Sequence, residues 1–327
     1  ATKIQKGATN IKARLAADID LRMSDYPNLM IGTEDNPMEG IFDGAGYTIT
    51  YSYANVADKW RGLFAFVKDA TIRNLYVEGD ATVSNIHFGA LIGHAEGTVL
   101  VENVITNVNI TGQRSGVTGD GGMLGANYAN ITFNNCATLG KMGNTGTSMY
   151  SSFSAWSNGN SATTLNNCYS LCSLTEGTGE GNCFTLTHRS GTVTINNSYY
   201  FNLIGTYVGG TQVTAEQVAN GELCAMLGNG WYQNIGEDAY PVFDKTHNTV
   251  KVIAEAGYAT MYLPYAVEIP ANVEVFTGEF EENWLKLNAV TGTVPALAPV
   301  VLKGAAGVYS FAPAPTTPAN VQCNDLQ

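Results

Sequence analysis

Apolar and polar residues alternate in a pattern that recurs about every thirty residues between positions 62 and 202. Each repeat carries an apolar residue, one spacer and an asparagine, and successive asparagines are 29, 32, 32 and 30 residues apart. They are Asn74, Asn103, Asn135, Asn167 and Asn197. Twelve to sixteen residues before each asparagine, small residues precede apolar ones, starting at Gly62, Gly89, Gly121, Ser151 and Asn182. A fixed period of this length indicates a solenoid, a propeller or an array.

The composition of the repeats predicts an all-β fold. They are rich in Gly, Asn, Thr and Ser and contain short alternating runs such as residues 104–110, which excludes helical repeats. Three strands of about five residues, with turns between them, fill one coil of a parallel β-helix. We therefore expect a single right-handed parallel β-helix, with about thirty residues per coil, over residues 10–212.

The repeated asparagine has a physical role in such a coil. A sharp bend between two strands needs a residue that tolerates the left-handed backbone region, and asparagine does so better than most residues other than glycine. Stacked amides can also form a hydrogen-bonded ladder along the axis. The five asparagines are therefore expected to superpose at one bend. The alternative, that they only mark exposed turns, does not explain the recurring apolar residue two places earlier.

A short helix is predicted after the last coil. Thr214 and Gln217 have the spacing of a capping box, and Gly228 is a stop signal, which together predict a helix over about 214–228. It would cover the open end of the solenoid, so that the first domain spans residues 1–248.

The pattern changes near residue 249. Short apolar runs at 250–253, 259–263, 273–276, 285–287 and 299–302 are separated by Gly, Pro or Asn turns. They predict a small antiparallel β-sandwich-like domain over residues 249–312. Residues 313–327 have the composition of a linker-like tail. We therefore expect that the native chain continues.

Charge narrows the range of partners. Charged residues make up 13% of the chain, whereas about 25% is usual, and the net charge is −12. A surface of this sign argues against nucleic acid and anionic lipid as partners. No apolar run reaches the length of about 18 residues that a membrane-spanning helix needs. We expect a monomer without a membrane-spanning segment.

A family resemblance follows from particular stretches. Residues 17–21, 31–32 and 42–49 resemble the opening of bacterial, Bacteroidetes-like cell-surface proteins with GLUG-type repeats. The runs Gly-Ala-Leu-Ile-Gly at 89–93 and Gly-Gly-Met-Leu-Gly at 121–125 resemble the repeat signature itself, whereas the units starting at 151 and 182 lack its glycines. Residues 257–265 and 294–302 resemble a module found at the ends of secreted proteins of that group.

The resemblance covers about residues 10–245 and implies location more firmly than activity. It implies a secreted protein or one at the outer cell surface, with lipid attachment through a preceding leader as one route. It also implies an adhesive role, with a glycan or a host or bacterial surface protein as partner.

Two cysteines occupy one position in neighbouring repeats. Cys136 and Cys168 each follow a repeated asparagine directly, so their side chains should be parallel and about 5 Å apart. Parallel Cβ vectors suit the disulfide torsion poorly. We expect free, buried thiols.

Residues that carry chemistry are few. The four histidines lack the spacing of a metal site, and no nucleophile elbow, phosphate loop or zinc-type cysteine pattern occurs. We therefore expect no metal site and no cofactor. Parallel β-helices also host polysaccharide lyases and hydrolases, which need clustered carboxylates, or a cation and a base. The first strand predicted in each repeat contains no charged residue, and His188 with Arg189 is the one adjacent pair suited to a lyase.

These observations favour non-catalytic glycan or matrix binding at a cell surface. A polysaccharide lyase or glycoside hydrolase is the second interpretation, and a structural spacer is the third. Insertions at 113–119, 144–150 and 176–181 are expected on one edge of the solenoid. Arg114, Tyr128, Tyr150 and Trp156 near them are the candidate ligand-binding residues. The alternative is that these loops are solvated and the aromatic residues pack inside.

Overall fold

A computed structural model describes most of the chain. It covers residues 11–22, 29–56, 59–84, 87–114, 119–147, 149–178, 181–182, 191–204, 209–219, 221–234, 237–247, 250–253, 255–263, 266–281, 283–295, 297–311 and 314. The chain divides into two compact units, Ala1–Gln212 and Val213–Gln327.

The first unit is built from strands. They are β1 (Ile11–Arg14), β2 (Ile19–Asp20), β3 (Met38–Asp43), β4 (Thr48–Val56), β5 (Trp60–Arg61), β6 (Phe64–Ser84), β7 (His87–Gly89), β8 (Ile92–Arg114), β9 (Gly119–Gly121), β10 (Leu124–Thr138), β11 (Lys141–Thr147), β12 (Met149–Ser151), β13 (Ser154–Ser157), β14 (Ala162–Asn166), β15 (Tyr169–Ser170), β16 (Ser173–Thr178), β17 (Gly181–Asn182), β18 (Thr192–Asn196), β19 (Tyr199–Tyr200) and β20 (Thr211–Gln212).

These strands form the predicted β-solenoid, with about five turns spaced by about thirty residues. Among the described residues of the first unit, all strand pairs are parallel, for example β6 with β8 and β8 with β10. Strands β5, β7, β9, β12 and β17 form one sheet, and the other fifteen strands of this unit form the second sheet. The all-β fold class is confirmed.

The apolar anchors of the repeats form the core of the solenoid. The register aligns the apolar residues two places before the asparagines, coil upon coil: Ile72, Val101, Phe133, Leu165 and Ile195. Phe42, two places before Gly44, precedes them in the same column. The four central members have no exposed surface. One apolar residue per coil therefore makes a continuous buried column.

All five repeated asparagines have left-handed backbones, with φ between 42° and 53°. The side-chain amide of Asn103 donates to Oδ1 of Asn74 at 2.9 Å, and that of Asn135 donates to Oδ1 of Asn103 at 3.2 Å. Asn197 donates to Asn167 in the same way at 2.9 Å. The bend and the ladder thus use the same side chains.

Replacing Asn103 by alanine should lower the free energy of unfolding by about 2 kcal/mol. Alanine pays about 1 kcal/mol or more for the left-handed backbone, and two ladder hydrogen bonds are lost. Asn103→Gly is the matched control, because glycine adopts this φ without strain and loses only the ladder. Urea unfolding of both variants measures the difference. Equal losses in the two variants would show that the left-handed backbone is not the cause.

The glycines of the second anchor are required by close backbone contacts. A Cβ atom at Gly89 would lie 2.0 Å from the carbonyl oxygen of Ile92, and one at Gly121 would lie 2.1 Å from that of Leu124. Strands on either side of this bend therefore approach too closely for a side chain. The recurring glycine signature in the sequence follows from that geometry.

Cys136 and Cys168 are free and fully buried, as predicted. Burial raises the pKa of the Cys136 thiol well above its ordinary value, and the neighbouring Cys168 raises it further. Both residues belong to the apolar core cluster, where they act as small apolar side chains.

The second unit combines short helices with antiparallel strands. They are α1 (Ala215–Ala219), α2 (Glu222–Leu227), a 3-10 helix (Lys245–His247), β21 (Val250–Ile253), β22 (Tyr258–Met261), β23 (Val267–Glu268), β24 (Glu274–Glu281), β25 (Trp284–Val290), β26 (Thr293–Val294), β27 (Val300–Lys303) and β28 (Gly307–Ser310). Strands β22, β27, β24 and β25 form a four-stranded sheet in that order. In the described part of the chain, no helix is long and apolar enough to cross a bilayer.

The predicted helix over 214–228 is two helices. Thr214 and Gln217 make the expected reciprocal capping bonds, at 3.2 Å and 2.9 Å. The helix breaks before Gly221, whose φ of 85° is left-handed and incompatible with a continuous helix. Both helices group with the C-terminal strands, whereas the sequence analysis assigned them to the solenoid domain.

Candidate functional site

Aromatic and histidine side chains gather on the solenoid where its chain turns at the glycine anchors. The register aligns Phe66, His94, Ala126 and Trp156 in one column. Trp60 and His87 are aligned on the strands that precede the turn. We call the set Trp60, Phe66, His87, His94, Tyr128 and Trp156 the aromatic face.

His94 lies at the centre of the aromatic face. Its ring centroid is 4.1 Å from that of Phe66 and 4.2 Å from that of Trp60. Tyr128 stacks on its other side, 4.6 Å away at an angle of 29°. Three coils are thereby joined through ring contacts on one side of the solenoid.

The small side chain of Ala126 accounts for the position of Tyr128. Ala126 is in register between His94 and Trp156, and a large side chain there would fill the column. Instead, the Tyr128 ring lies next to both neighbours, with its centroid 5.1 Å from that of Trp156. His87 also contacts Trp156, at 5.4 Å between ring centroids. The sequence therefore leaves a gap in one coil, and a tyrosine from the same strand occupies it.

Exposure increases from the inner to the outer members of the aromatic face. Phe66 and His94 are buried, with 5% and 2% of their surface exposed, whereas Tyr128 is 38% exposed. Trp60, His87 and Trp156 are half-buried. The accessible part is therefore a set of ring edges and partial ring faces, contributed by several coils.

Charged groups surround the aromatic face. The Lys59 ammonium lies 3.7 Å from the centroid of the Trp60 ring. Glu96, whose side chain is 41% exposed, has a carboxylate oxygen 3.2 Å from Nε2 of His94. Lys68 is exposed and aligned with Glu96, which is aligned with Tyr128. A ligand on the rings would thus find hydrogen-bond donors and acceptors within reach at the border.

The environment of His94 keeps its imidazole neutral. Burial lowers the pKa of His94 to about 4, although the hydrogen bond with Glu96 acts in the opposite direction. Its Nδ1 is buried and has no hydrogen-bond partner. At neutral pH the ring is therefore part of the apolar stack rather than a cation.

The structure brings together two of the four candidate ligand-binding residues, Tyr128 and Trp156. Tyr150 does not join them: it is 1% exposed and belongs to the apolar core cluster. The backbone of Arg114 ends β8 opposite Gly146, and its side chain lies outside the described residues. For Tyr150 the structure agrees with the alternative that the aromatic side chain packs inside.

The insertion predicted at 144–150 is not a loop. Residues expected in the loop 144–150 continue β11 to Thr147 and form β12 from Met149. In the same way, β8 extends to Arg114 and β16 to Thr178. Strand pairing with the neighbouring coil extends each strand into the polar stretch that follows it. Residues 115–118, 148 and 179–180 lie outside the described residues.

Sequence reasoning missed Trp60, Phe66, His87 and His94. A signal was present, because Trp60 and His87 lie two places before, and Phe66 and His94 four to five places after, Gly62 and Gly89. It was not recognised because the two positions lie on different strands, and each histidine on its own is most often a structural residue.

Other chemistry is sparse in the described part of the chain. His188 and Arg189, the pair considered for a lyase, lie outside it. Within the described ranges, no group of three or more His, Cys, Asp or Glu side chains is placed to hold a metal ion. The aromatic face is therefore the site best defined by contacts.

Comparisons with known proteins extend the description of the fold. No family model matches the sequence, and no curated protein matches it. Among solved structures, the chain is similar to a "putative immunoglobulin A1 protease" from Bacteroides ovatus, with a TM-score of 0.51 and 16% identity. The match covers 74% of this chain and 88% of that chain. At this identity the similarity shows the fold alone, a β-solenoid also found in a Bacteroides protein.

Proposed function

We propose that the chain is a non-catalytic binding protein, secreted or held at the outer surface of a bacterium, that attaches to glycan through the aromatic face. The observation that carries the proposal is the joining of rings from four coils, with Tyr128 38% exposed at the outside. The resemblance to surface proteins with GLUG-type repeats and the Bacteroides neighbour support the location.

Glycan fits the chemistry of this face. Pyranose rings present C–H groups that pack on aromatic rings, while their hydroxyl groups need donors and acceptors at the border of the contact. Trp60, Tyr128 and Trp156 supply the apolar part, and Lys59 and Glu96 supply the polar part. Because the rings belong to successive coils about 4.8 Å apart, an extended chain lying along the axis would contact several of them.

Charge supports glycan over other polymers. The net charge of −12 opposes nucleic acid and anionic lipid, which carry the same sign. Among sugars it favours neutral chains over strongly acidic ones. A host or bacterial surface protein that carries such glycans is the natural partner.

Replacing Tyr128 or Trp156 by alanine should weaken glycan binding at least about tenfold, because exposed aromatic anchors dominate contacts of this kind. A glycan and matrix-protein array identifies ligands of the full chain, and calorimetry then compares the variants. Tyr258→Ala is the matched control, since Tyr258 is 51% exposed but belongs to the second unit. Unchanged affinity in both solenoid variants would contradict the proposal.

The same ligands test the enzymatic alternative. Incubation with each bound polysaccharide, followed by analysis of chain length, separates a binding protein from a lyase or hydrolase. Immunoglobulin A1 is a useful further probe because of the name of the Bacteroides neighbour. Binding without cleavage agrees with the proposal, whereas cleavage of sugar or protein favours an enzyme. A chain that binds nothing would favour the structural spacer.

A further inference from the structure

Strands β24 and β25 form a hairpin in the second unit. The base of the hairpin packs in the apolar core of that unit, and its tip extends away from the core. Near its base, Val275 and Thr277 of β24 are buried, with 2% and 3% of their surface exposed. Towards its tip, Phe280 is 63% exposed and Trp284 is 78% exposed. Strand β25 has no fully buried residue. The hairpin therefore presents large apolar side chains to solvent.

The two faces of the hairpin differ. Paired residues of antiparallel strands project to the same side, so Phe280 with Leu285 and Phe276 with Ala289 lie on one face, together with Leu287. The opposite face is polar around Trp284. There, Nζ of Lys286 lies 2.6 Å from Oε1 of Glu281, and Nδ2 of Asn288 donates to Oε2 of Glu279 at 3.3 Å.

Strand β25 is also the edge of its sheet. The order of strands is β22, β27, β24 and β25, and among the described residues no strand pairs with the outer side of β25. An exposed, apolar edge strand is a template for pairing with another strand. Lys286 is the sole charged residue among its seven, so little along the strand opposes such pairing.

We propose that this edge pairs with the same edge of a second copy of the chain, antiparallel and centred on Leu287. This register pairs all seven residues of β25 and keeps the apolar face continuous across both copies. It places Leu287 opposite Leu287 and Lys286 opposite Asn288. Centring the pair on Lys286 would instead place two ammonium groups opposite each other. The strand is therefore complementary to itself in charge and in apolar pattern.

The size and charge of the contact determine its strength. A seven-residue edge buries less than the roughly 800 Å² per partner of a standard interface. In addition, each copy carries a net charge of −12. We therefore expect a concentration-dependent dimer that added salt strengthens by screening the repulsion. This dimer departs from the monomer expected from the sequence and does not depend on the proposed glycan binding.

Light scattering on the full chain tests the proposal. The mass should rise from 34.8 kDa towards twice that value with concentration, and more steeply at higher salt. Leu287→Lys should weaken dimerisation at least about tenfold, because it places like charges opposite each other at the two-fold axis. Tyr262→Lys is the matched control, since Tyr262 is 57% exposed and lies outside the hairpin. Thermal unfolding of each variant confirms that it folds.

Cross-linking tests the register. Leu287→Cys should form an interchain disulfide on oxidation, because directly opposed residues of antiparallel strands lie within disulfide range. Leu297→Cys, at a position that is 60% exposed and outside the hairpin, should cross-link no more than the wild type. A constant mass at every concentration and salt level would overturn the proposal. So would a Leu287→Lys variant that dimerises like the wild type.

Discussion

Replacing Phe133 by alanine is expected to lower the free energy of unfolding by about 3–5 kcal/mol. Phe133 has no exposed surface and lies in the buried column between Val101 and Leu165 of the adjacent coils. Its ring meets that of Phe153 edge to face, with centroids 5.3 Å apart. Removing it leaves a cavity between strands that are held on both sides, so the surroundings cannot collapse to fill it. Urea unfolding measures the loss.

Phe133→Leu is the matched control for the cavity. Leucine already occupies the same position in the next coil, as Leu165, and retains most of the apolar volume. We expect it to cost about 1–2 kcal/mol. If the alanine variant cost no more than the leucine variant, the column would not be the rigid core that the register indicates.

Acidification should destabilise the solenoid through His94. The fold lowers the pKa of this imidazole to about 4, compared with about 6.5 in the unfolded chain. The neutral ring is therefore favoured by folding. Its contribution is complete above pH 6.5 and is lost as the pH falls towards 4. The difference between the folded and unfolded pKa values corresponds to about 3 kcal/mol of unfolding free energy.

Comparing wild type with His94→Phe isolates this effect. Phenylalanine keeps an aromatic ring in the stack, as Phe66 does in the adjacent coil, but does not titrate. The two proteins share every other side chain, so the difference between their stability profiles reports on His94. Urea unfolding at neutral pH and near pH 4 gives the loss of unfolding free energy on acidification. This loss should be about 3 kcal/mol smaller in the variant than in the wild type. Parallel profiles would show that His94 is not held neutral.

The periodic part of the fold was predictable because one residue type meets one physical demand in every coil. The asparagine spacing anticipated the left-handed bends at Asn74 and its four equivalents, and the apolar residue two places earlier anticipated the buried column. The glycine signature reflected the close backbone contact at Gly89. These features depend on local backbone geometry, which the sequence records directly.

Properties that depend on neighbouring coils were harder to predict. The polar stretch at 144–147 resembles a loop by composition, yet it is a strand because β8 and β16 pair with it on both sides. Tyr150 was a candidate because it lies at a predicted insertion, but the register aligns it with Asp120 and its side chain belongs to the core cluster. Neither outcome can be read from one repeat alone.

The aromatic face shows the same difficulty from the functional side. Tyr128 and Trp156 were identified as aromatic residues near an edge. The contacts of Tyr128 with His94 and with Trp156 arise from Ala126, whose small size matters only when coils are stacked. The prediction of one continuous helix over 214–228 was wrong for a local reason instead. Gly221 lies between two good helical segments, and its left-handed φ separates them.

The register of the solenoid also determines how the chain can fold. Each coil pairs with the coil about thirty residues away, so joining two coils closes a loop that costs about 3 kcal/mol of chain entropy whichever pair forms first. Growth can then proceed outward in both directions, one coil at a time, as each new coil finds a template already in place. Among the described coils, the first and the last pair with a neighbour on one side, so we expect fraying to begin there and the middle coils to exchange their amide protons last.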